Sequence, residues 1–592
     1  MKLSDYVIDF LVSRGINHIF EVCGGSLAHL LDSLYGREDI TAVSMHHEMA
    51  AAIAAEGYSR VCEEGMGVAM ATSGPGATNL ITGIGSCFFD SIPCLFVTGQ
   101  VNTYEFKFDK PTRQIGFQET DIVNIVKPIT KKAELIMDET RIRFCLEDAI
   151  DTAKRGRPGP VLLDLPMNIQ RAEIEPSSLS SYDDDHNDPL DNVNMIDENV
   201  MDQVVELIKS SCRPIILVGG GVRSSKGQDE LLRLSHNARI PVVTSLMGLD
   251  AFPHDDALFV GMIGTYGNRY ANLAIANSDL VIALGTRLDT RQTGTRPETF
   301  ARGAKIVHVD IDPVELNNKI EVEYAINSDI RIFLSQLNEQ DPRCNRACIN
   351  TWIDTIKSFK ESYPSFCAST GNAITPNYFM HLLSEHLPEN AIICVDVGQN
   401  QMWAAQSLEI KGTQRFLTEG GMASMGCALP MAIGASFAKP GKPIIVITGD
   451  GGFQLNIQEL ETVYHHSLPI KIILLNNACY GMVRQFQEQY LCGRCQSTVI
   501  GYSSPDFQKV VSAYKISSMK ITQNDEITDA LEILFSDLNP GFLEIEIGGD
   551  SKVVPKLSVN RPAEDQEPLL SRQELALNMF IDILPEPETY ED

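Results

Sequence analysis

The chain has 592 residues, 44% of them apolar, and a formal net charge of −30. That length suits about three to four domains, and the composition is that of a folded chain, not a disordered one. No apolar run reaches the roughly 18 residues that a bilayer span requires, and no basic stripe marks a nucleic-acid face; a protein without membrane or nucleic-acid partners, cytoplasmic by default, is expected.

In chain order, MKLSDYVIDFLVSRGI has apolar positions at helical spacing with interspersed charges, an amphipathic helix and not a secretory signal. Strand candidates follow at GVAMATS, PCLFVTGQ and GPVLLDLP, closing a first unit over residues 1–172. SSLSSYDDDHNDP is polar, acidic and aperiodic, a surface linker. A second unit, 193–342, repeats a strand-then-glycine-turn signature in RPIILVGGG, DLVIALG and AKIVHVDIDP, with a charged helix-like segment over roughly 329–372. A third unit, 375–549, carries AIICVDVG, PIIVITGD, PIKIILLNN and FLEIEIG. The tail, 550–592, is rich in Pro, Glu and Asp, with one helical patch, LLSRQELALNMFIDIL, expected to lie on the surface or cover something. Alternating strands and helices predict an α/β protein of three doubly wound parallel-sheet domains, the first and third being candidate copies of one plan. The 14 cysteines form no framework; Cys492 and Cys495, in CGRC, lack the second pair a zinc site needs and read as coincidence, with a redox pair as the alternative.

The segment Gly449–Asn477, GDGGFQLNIQELETVYHHSLPIKIILLNN, concentrates the chemistry. It begins at the carboxyl end of a strand, where open α/β sheets bind ligands. Gly449, Gly451 and Gly452 let backbone approach a phosphate, and FQLNIQELETVYHH reads as a helix whose N-terminus faces the anion. Asp450 and the Asn476–Asn477 pair thus end two strands of one βαβ unit. A carboxylate and an amide oxygen beside a diphosphate suit Mg²⁺. A plain glycine turn and a surface Asn-Asn turn are the bland alternative, disfavoured by the full spacing.

This element resembles the thiamine-diphosphate signature, GDG followed by a distant NN. The resemblance implies Mg²⁺ held by Asp450 and Asn477, with the backbone carbonyl of Cys479 as a third ligand. Such a cofactor also needs a carboxyl group facing its aminopyrimidine to promote loss of the reactive proton. HHEMAAAIAAEGYSR offers Glu48; alone, it would read as a helix-start Glu at the positive dipole end.

From residue 1 to about 548 the chain resembles the acetolactate synthase (acetohydroxyacid synthase) branch of thiamine-diphosphate enzymes. ATSGPGATN (71–79), TGQV (98–101), GFQE (116–119) and KPITK (127–131) are similar to its pyrimidine-binding domain. The resemblance implies that Gly25 lies beside the reacting oxygen and that Phe117 and Gln118 approach cofactor and substrate. It implies that Gly398, Gln399 and Asn400 touch the diphosphate, Met425 wedges under the bent cofactor and the Ala423 carbonyl receives the 4′-amino group. Gly449, Gly451, Gly452 and Met482 complete the cofactor-binding set. Glu48 belongs to one subunit and Asp450 to the other, so a homodimer or homotetramer with sites at the subunit interface is implied.

The second unit resembles the family's middle domain, which holds FAD structurally; a site that is empty or holds another adenine nucleotide is the alternative. The implied reaction is decarboxylation of a 2-oxo acid, pyruvate by expectation, in which the thiazolium stores electrons as CO₂ leaves. The acyl carbanion then joins a second carbonyl acceptor, with Gly25 and Gln118 stabilising oxygen charge.

Departures gather near the substrate: FEVCGG in place of FGxPGG, Asn400 in place of His, Phe486 in place of Trp, and a longer loop NTYEFKFDKPTR. They suggest retained cofactor chemistry with a changed acceptor. TRQIGFQETDIVNIVKPITK also resembles a subgroup found with surface-polysaccharide pathways, in which an acetyl unit reaches a keto-sugar nucleotide. Lys107, Lys110 and Arg113 could meet such a phosphorylated acceptor, or form a solvated face. A flavin-linked 2-oxo acid oxidase and a non-catalytic nucleotide-binding protein are the remaining alternatives.

Overall fold

The computed structural model describes residues 1–63, 65–182, 195–367 and 371–586. The acidic half of the expected linker and the start of the second unit near Val193 lie outside the described residues. Among the described residues no helix is long and apolar enough to cross a membrane.

Three six-stranded parallel sheets organise the chain. The first contains β1 (His18–Val22), β2 (Thr41–Ser44), β3 (Gly67–Ala71), β4 (Cys94–Gln100), β5 (Lys132–Leu135) and β6 (Val161–Pro166), in the order β2-β1-β3-β4-β6-β5. Its central β3, β4 and β6 are buried along their whole length. They read as mainly apolar runs because helices cover both faces of a parallel sheet, and the polar Thr98, Gln100 and Asp164 within them satisfy one another.

The second sheet contains β7 (Pro214–Val218), β8 (Val242–Thr244), β9 (Phe259–Met262), β10 (Leu280–Leu284), β11 (Lys305–Asp310) and β12 (Tyr324–Asn327), ordered β12-β11-β10-β7-β8-β9. This is the dinucleotide-fold order, whose ligand crevice opens at the carboxyl ends flanking the switch point, here β7 and β10.

The third sheet contains β13 (Ile392–Val395), β14 (Arg415–Leu417), β15 (Ile444–Gly449), β16 (Ile470–Asn476), β17 (Ser517–Ile521) and β18 (Gly541–Glu546), ordered β14-β13-β15-β16-β18-β17. Numbered from its own first strand, it repeats the order of the first sheet. The two units therefore share one plan, with switch points between β1 and β3 and between β13 and β15.

The first and third units pack through the small-residue helix Glu48–Val61 and the helix Ala428–Ala438, and one hydrophobic core runs through both. A Cβ on Gly57 would lie 2.2 Å from the Met431 carbonyl oxygen, and one on Gly434 would lie 1.8 Å from that of Ala54. Glycine at both positions lets the backbones touch. Contacts of 57 with 431 and 54 with 434 make the two helices antiparallel.

The tail covers the middle unit. Arg269 donates to the carbonyls of Gln566 and Pro568, Arg302 pairs with Glu564, and Leu575 joins the core around Trp352. The expected long helical patch is shorter than its periodicity suggests: only Arg572–Leu577 is helical. Beyond it the backbone is drawn off by the middle unit, where Asn277 accepts from the Phe580 N–H and Arg302 donates to the Asp582 carbonyl.

Candidate active site

At the β13/β15 switch point, Gly398 follows β13 and Asp450 follows β15. The carboxyl ends of β13, β15 and β16 bring Gly398, Gln399, Asn400, Gly449, Asp450 and Asn477 into one cradle. Gly398 has φ 158, and a Cβ there would lie 2.5 Å from Asn400 Oδ1; a Cβ on Gly451 would lie 2.5 Å from the Tyr480 ring. The Asn477 side-chain amide donates to Gln399 Oε1 at 2.8 Å, and its Oδ1 accepts from the Cys479 N–H at 3.3 Å.

Asp450 is buried, and burial pushes its carboxyl up to about 6, against hydrogen bonds from Tyr502 and from the N–H groups of Asn477 and Gly451. The Tyr502 hydroxyl sits 2.5 Å from Asp450 Oδ2, and its ring meets Tyr480 edge-on at 4.7 Å. Among the described residues no cation pairs with this buried carboxyl, and the Asn477 amide follows the neighbouring strand; a carboxylate and an amide oxygen from adjacent strand ends are donors of the kind Mg²⁺ takes. Asn400 turns its side-chain N–H groups back onto the Asp396 carbonyl at 2.6 Å, so its oxygen faces the glycine turns.

The helix expected over FQLNIQELETVYHH is broken. Asp450–Phe453 is helical, Gln454–Glu459 is a tighter 3₁₀ turn with Asn456 at φ −133, and Leu460–His465 resumes. Asn456 donates to the Gly426 carbonyl at 2.8 Å, tying the interruption to the Ala423–Met425 turn. Asp396 holds the same turn by accepting the Gly426 N–H at 2.8 Å. Ala423 is left-handed, φ 57, and exposed.

A second group forms in the first unit. Glu48 is the first residue of its helix, with His47 as N-cap. Asn79 donates to Glu48 Oε2 at 2.9 Å, and a Cβ on Gly76 would lie 3.3 Å from Oε1. Gly25 has open space where its side chain would be. Gln118, at φ 63, packs against Gly74, and Phe117 is 85% exposed. The basic loop before them is gathered by Glu119, whose carboxylate accepts the N–H groups of Lys107, Ile115 and Gly116; Lys110 and Arg113 are exposed.

One chain does not join these groups. Because the Glu48–Val61 and Ala428–Ala438 helices are antiparallel, the Ala423–Met425 turn lies at the Arg60 end. Glu48 is twelve residues away, roughly 18 Å at about 1.5 Å per residue.

A cavity of about 1180 Å³ opens at the β7/β10 switch point. Its lining includes Gly220, Gly221, Gly285, Arg287, Arg291 and Asp310, and it extends to Gly398, Ala423 and Met482 of the third unit. Gly221 N–H bonds the Gly285 carbonyl at 3.0 Å, and a Cβ on Gly219 would lie 2.1 Å from that oxygen. Burial pushes Asp310 up to about 6. Glycine backbone, guanidinium groups and a buried carboxyl in a space this long fit a dinucleotide such as FAD.

The Gly481–Tyr490 helix, bearing Met482 and Phe486, is held by the tail: Gln485 exchanges two 2.9 Å hydrogen bonds with the Val553 backbone, and Arg484 donates to the Ser551 carbonyl at 2.6 Å. Tyr480, Tyr502 and Asn79 were not foreseen from the sequence; Tyr502 stands 52 residues from Asp450 in the chain, with no local pattern to mark it.

Residues 1–125, 201–337 and 396–545 match the thiamine pyrophosphate enzyme N-terminal TPP binding domain, central domain and C-terminal TPP binding domain. Acetolactate synthase 2, chloroplastic, of Nicotiana tabacum is 36% identical over 574 residues, 94% of this chain and 83% of the relative. The acetolactate synthase large subunits of Cyanidium caldarium and Lactococcus lactis are each 36% identical, covering 93% and 94% of this chain and 94% of each relative. The chain belongs to the acetolactate synthase family. As a member it is a thiamine-diphosphate-dependent enzyme of decarboxylation and carboligation, acting on small oxo acids. These relatives favour neither the keto-sugar transferase nor the flavin-linked oxidase.

Proposed function

We propose that this acetolactate synthase-family enzyme is cytoplasmic and decarboxylates pyruvate, joining the acyl unit to a second carbonyl compound at sites shared between two subunits of a homodimer or homotetramer. The separation of Glu48 from the Ala423–Met425 turn carries this reading, since a two-fold partner can supply to each site the group that its own chain holds too far away. Phe117, exposed beside Gln118, would then be covered by the partner.

Asp450, Asn477 and the Cys479 carbonyl would hold Mg²⁺ against the diphosphate, with Gly398, Gln399, Gly449, Gly451 and Gly452 giving backbone room. Thiamine diphosphate supplies the electron sink for decarboxylation. Glu48, oriented by Asn79, holds or releases a proton at the aminopyrimidine. Met425 and Met482 shape the space around the cofactor, and Ala423 offers its carbonyl. Gly25 N–H and Gln118 orient the substrate carbonyl. In the middle cavity Gly220, Gly221, Arg287, Arg291 and Asp310 would hold FAD in a structural role. Phe486, half exposed beside Tyr490 at 4.9 Å, would meet the acceptor.

The test is pyruvate loss with thiamine diphosphate and Mg²⁺, with products identified by mass spectrometry. Acetolactate from pyruvate alone supports the reading. Pyruvate loss only with an added keto-sugar nucleotide would move the acceptor to another class, and no loss under any condition would overturn the donor. Glu48→Gln is expected to lower turnover at least about 100-fold with an unchanged circular-dichroism spectrum.

A further inference from the structure

Three carboxyl groups and one guanidinium are sealed behind the Ala423–Met425 turn. Glu56 and Arg60 come from the Glu48–Val61 helix, Asp90 ends the Ile81–Asp90 helix, and Glu419 follows β14. The Glu56 and Glu419 residues are 0% exposed. Arg60 donates to Glu56 Oε1 at 2.6 Å and to Asp90 Oδ2 at 2.7 Å. Asp90 accepts the N–H groups of Gly420 and Gly421 at 3.1 and 2.8 Å. Glu419 Oε2 accepts the Ser424 N–H at 2.7 Å, and Gln401 donates to the Glu419 carbonyl at 2.9 Å. The strand-to-turn segment 419–424 is therefore fastened by Asp90 from the first unit, by Gln401 from the third, and by Glu419 itself.

The charges do not balance when every group is ionised. Arg60 is shared by Glu56 and Asp90, while Arg415, which reaches the Arg60 carbonyl at 3.2 Å, is engaged by Asp250 at 2.6 Å. The other titratable groups packed around the cluster are the thiols of Cys87, Cys394 and Cys427, all pushed up by burial and therefore neutral, and the Asp396 carboxyl, which holds the Gly426 N–H beyond the turn and is pushed up to about 6 by burial. Glu56 Oε2 and Glu419 Oε1 are buried without an aligned hydrogen-bond partner; the Ser86 and Ser424 hydroxyls are likewise buried and unaligned. A buried carboxylate oxygen that meets only a poorly aligned serine hydroxyl, Ser86 for Glu56 and Ser424 for Glu419, is costly, and protonation is the usual relief. Burial first, and the Glu56 carboxylate second, push the Glu419 carboxyl well above the usual range; burial also pushes Glu56 up.

We propose that Glu419 is a positioning residue that carries a proton in the folded protein and so holds the Ala423–Met425 turn against the Glu56–Arg60–Asp90 cluster. The neutral carboxyl keeps one oxygen on the Ser424 N–H and offers its O–H within the cluster. Ionisation sets two carboxylates against each other, and the turn must move outward to hydrate them. The inference rests on that turn being the thiamine-diphosphate wedge.

Glu419→Gln reproduces the neutral acid, while Glu419→Ala removes both contacts. Two readouts are taken from about pH 6 to about pH 9: thermal denaturation of cofactor-free protein, and thiamine-diphosphate affinity from quenching of intrinsic fluorescence with Mg²⁺ present. A group raised in the folded state gives stability that is lost as pH rises. The unmodified protein is expected to lose stability and affinity with rising pH, and Glu419→Gln to flatten both curves while keeping affinity within about threefold. Glu419→Ala is expected to weaken affinity by about tenfold or more. Unmodified and Gln curves of equal slope would overturn the proton, and Gln weakening affinity as much as Ala would overturn the positioning role. Absence of thiamine-diphosphate binding by the unmodified protein would overturn the proposed function and the cofactor half of this inference. The denaturation curves judge the proton separately.

Discussion

In the proposed site Glu48 is the acid facing the aminopyrimidine and Asp450 the anionic Mg²⁺ ligand, so Glu48→Gln and Asp450→Asn are each expected to silence the enzyme. Their combination tests which chains share a site. The antiparallel helices place Glu48 roughly 18 Å, at about 1.5 Å per residue, from the end where the Ala423–Met425 turn lies. No rotamer change spans that distance. If every site takes Glu48 from one chain and Asp450 from another, random co-assembly of the two mutant chains leaves about one site in four with both native residues, in a dimer or a tetramer. Co-expression from matched promoters, purification, and initial rates of pyruvate loss should then give about a quarter of the unmodified activity, while each mutant alone gives almost none. A site built within one chain would leave no intact site in any mixture. Activity no higher than that of the single mutants, in a preparation shown by mass spectrometry to contain both chains, would refute the shared-site geometry.

Gly481→Ala should weaken Mg²⁺ and thiamine-diphosphate binding together by about tenfold or more, because the added Cβ would lie 1.8 Å from Gln399 Oε1, the partner of Asn477; titration calorimetry checks it. Gly434→Ala forces a Cβ toward the Ala54 carbonyl and should cost about 1–3 kcal/mol, seen as a lower urea midpoint. Gln485→Ala strands the N–H and carbonyl of Val553, a loss of about 1–3 kcal/mol per buried group, and limited proteolysis should cut the tail sooner. Asp164 accepts from Thr98 and Gln100, and burial pushes it up to about 7. Because its folded value is raised, its contribution is present at low pH and fades as pH rises through about 7. Asp164→Asn should therefore flatten the thermal-stability profile between about pH 4 and 7, and an unchanged profile would mean the acid is ionised in the folded state.

Sequence alone determined the α/β class and the central strands of the sheets. β3, β4, β6, β10, β15 and β16 are buried on both faces, so each is a mainly apolar run that needs no neighbour to be recognised. The cradle was equally legible, because Gly449–Asp450 and Asn476–Asn477 follow directly from β15 and β16. Edge strands β2 and β17 were not foreseen, since their partly exposed residues break the apolar run. The interruption at Asn456 was missed for another reason: its helical periodicity is intact, and only the Gly426 carbonyl across the turn competes for its side chain. What tertiary structure alone decided is set by contacts remote in sequence. Gly57 and Gly434 allow two helices to cross at backbone contact, and that crossing fixes Glu48 and Met425 at opposite ends. The same crossing buries Glu56 and Arg60 against Glu419. No periodicity encodes such a meeting, because its energy belongs to surfaces hundreds of residues apart and exists only once both units have folded.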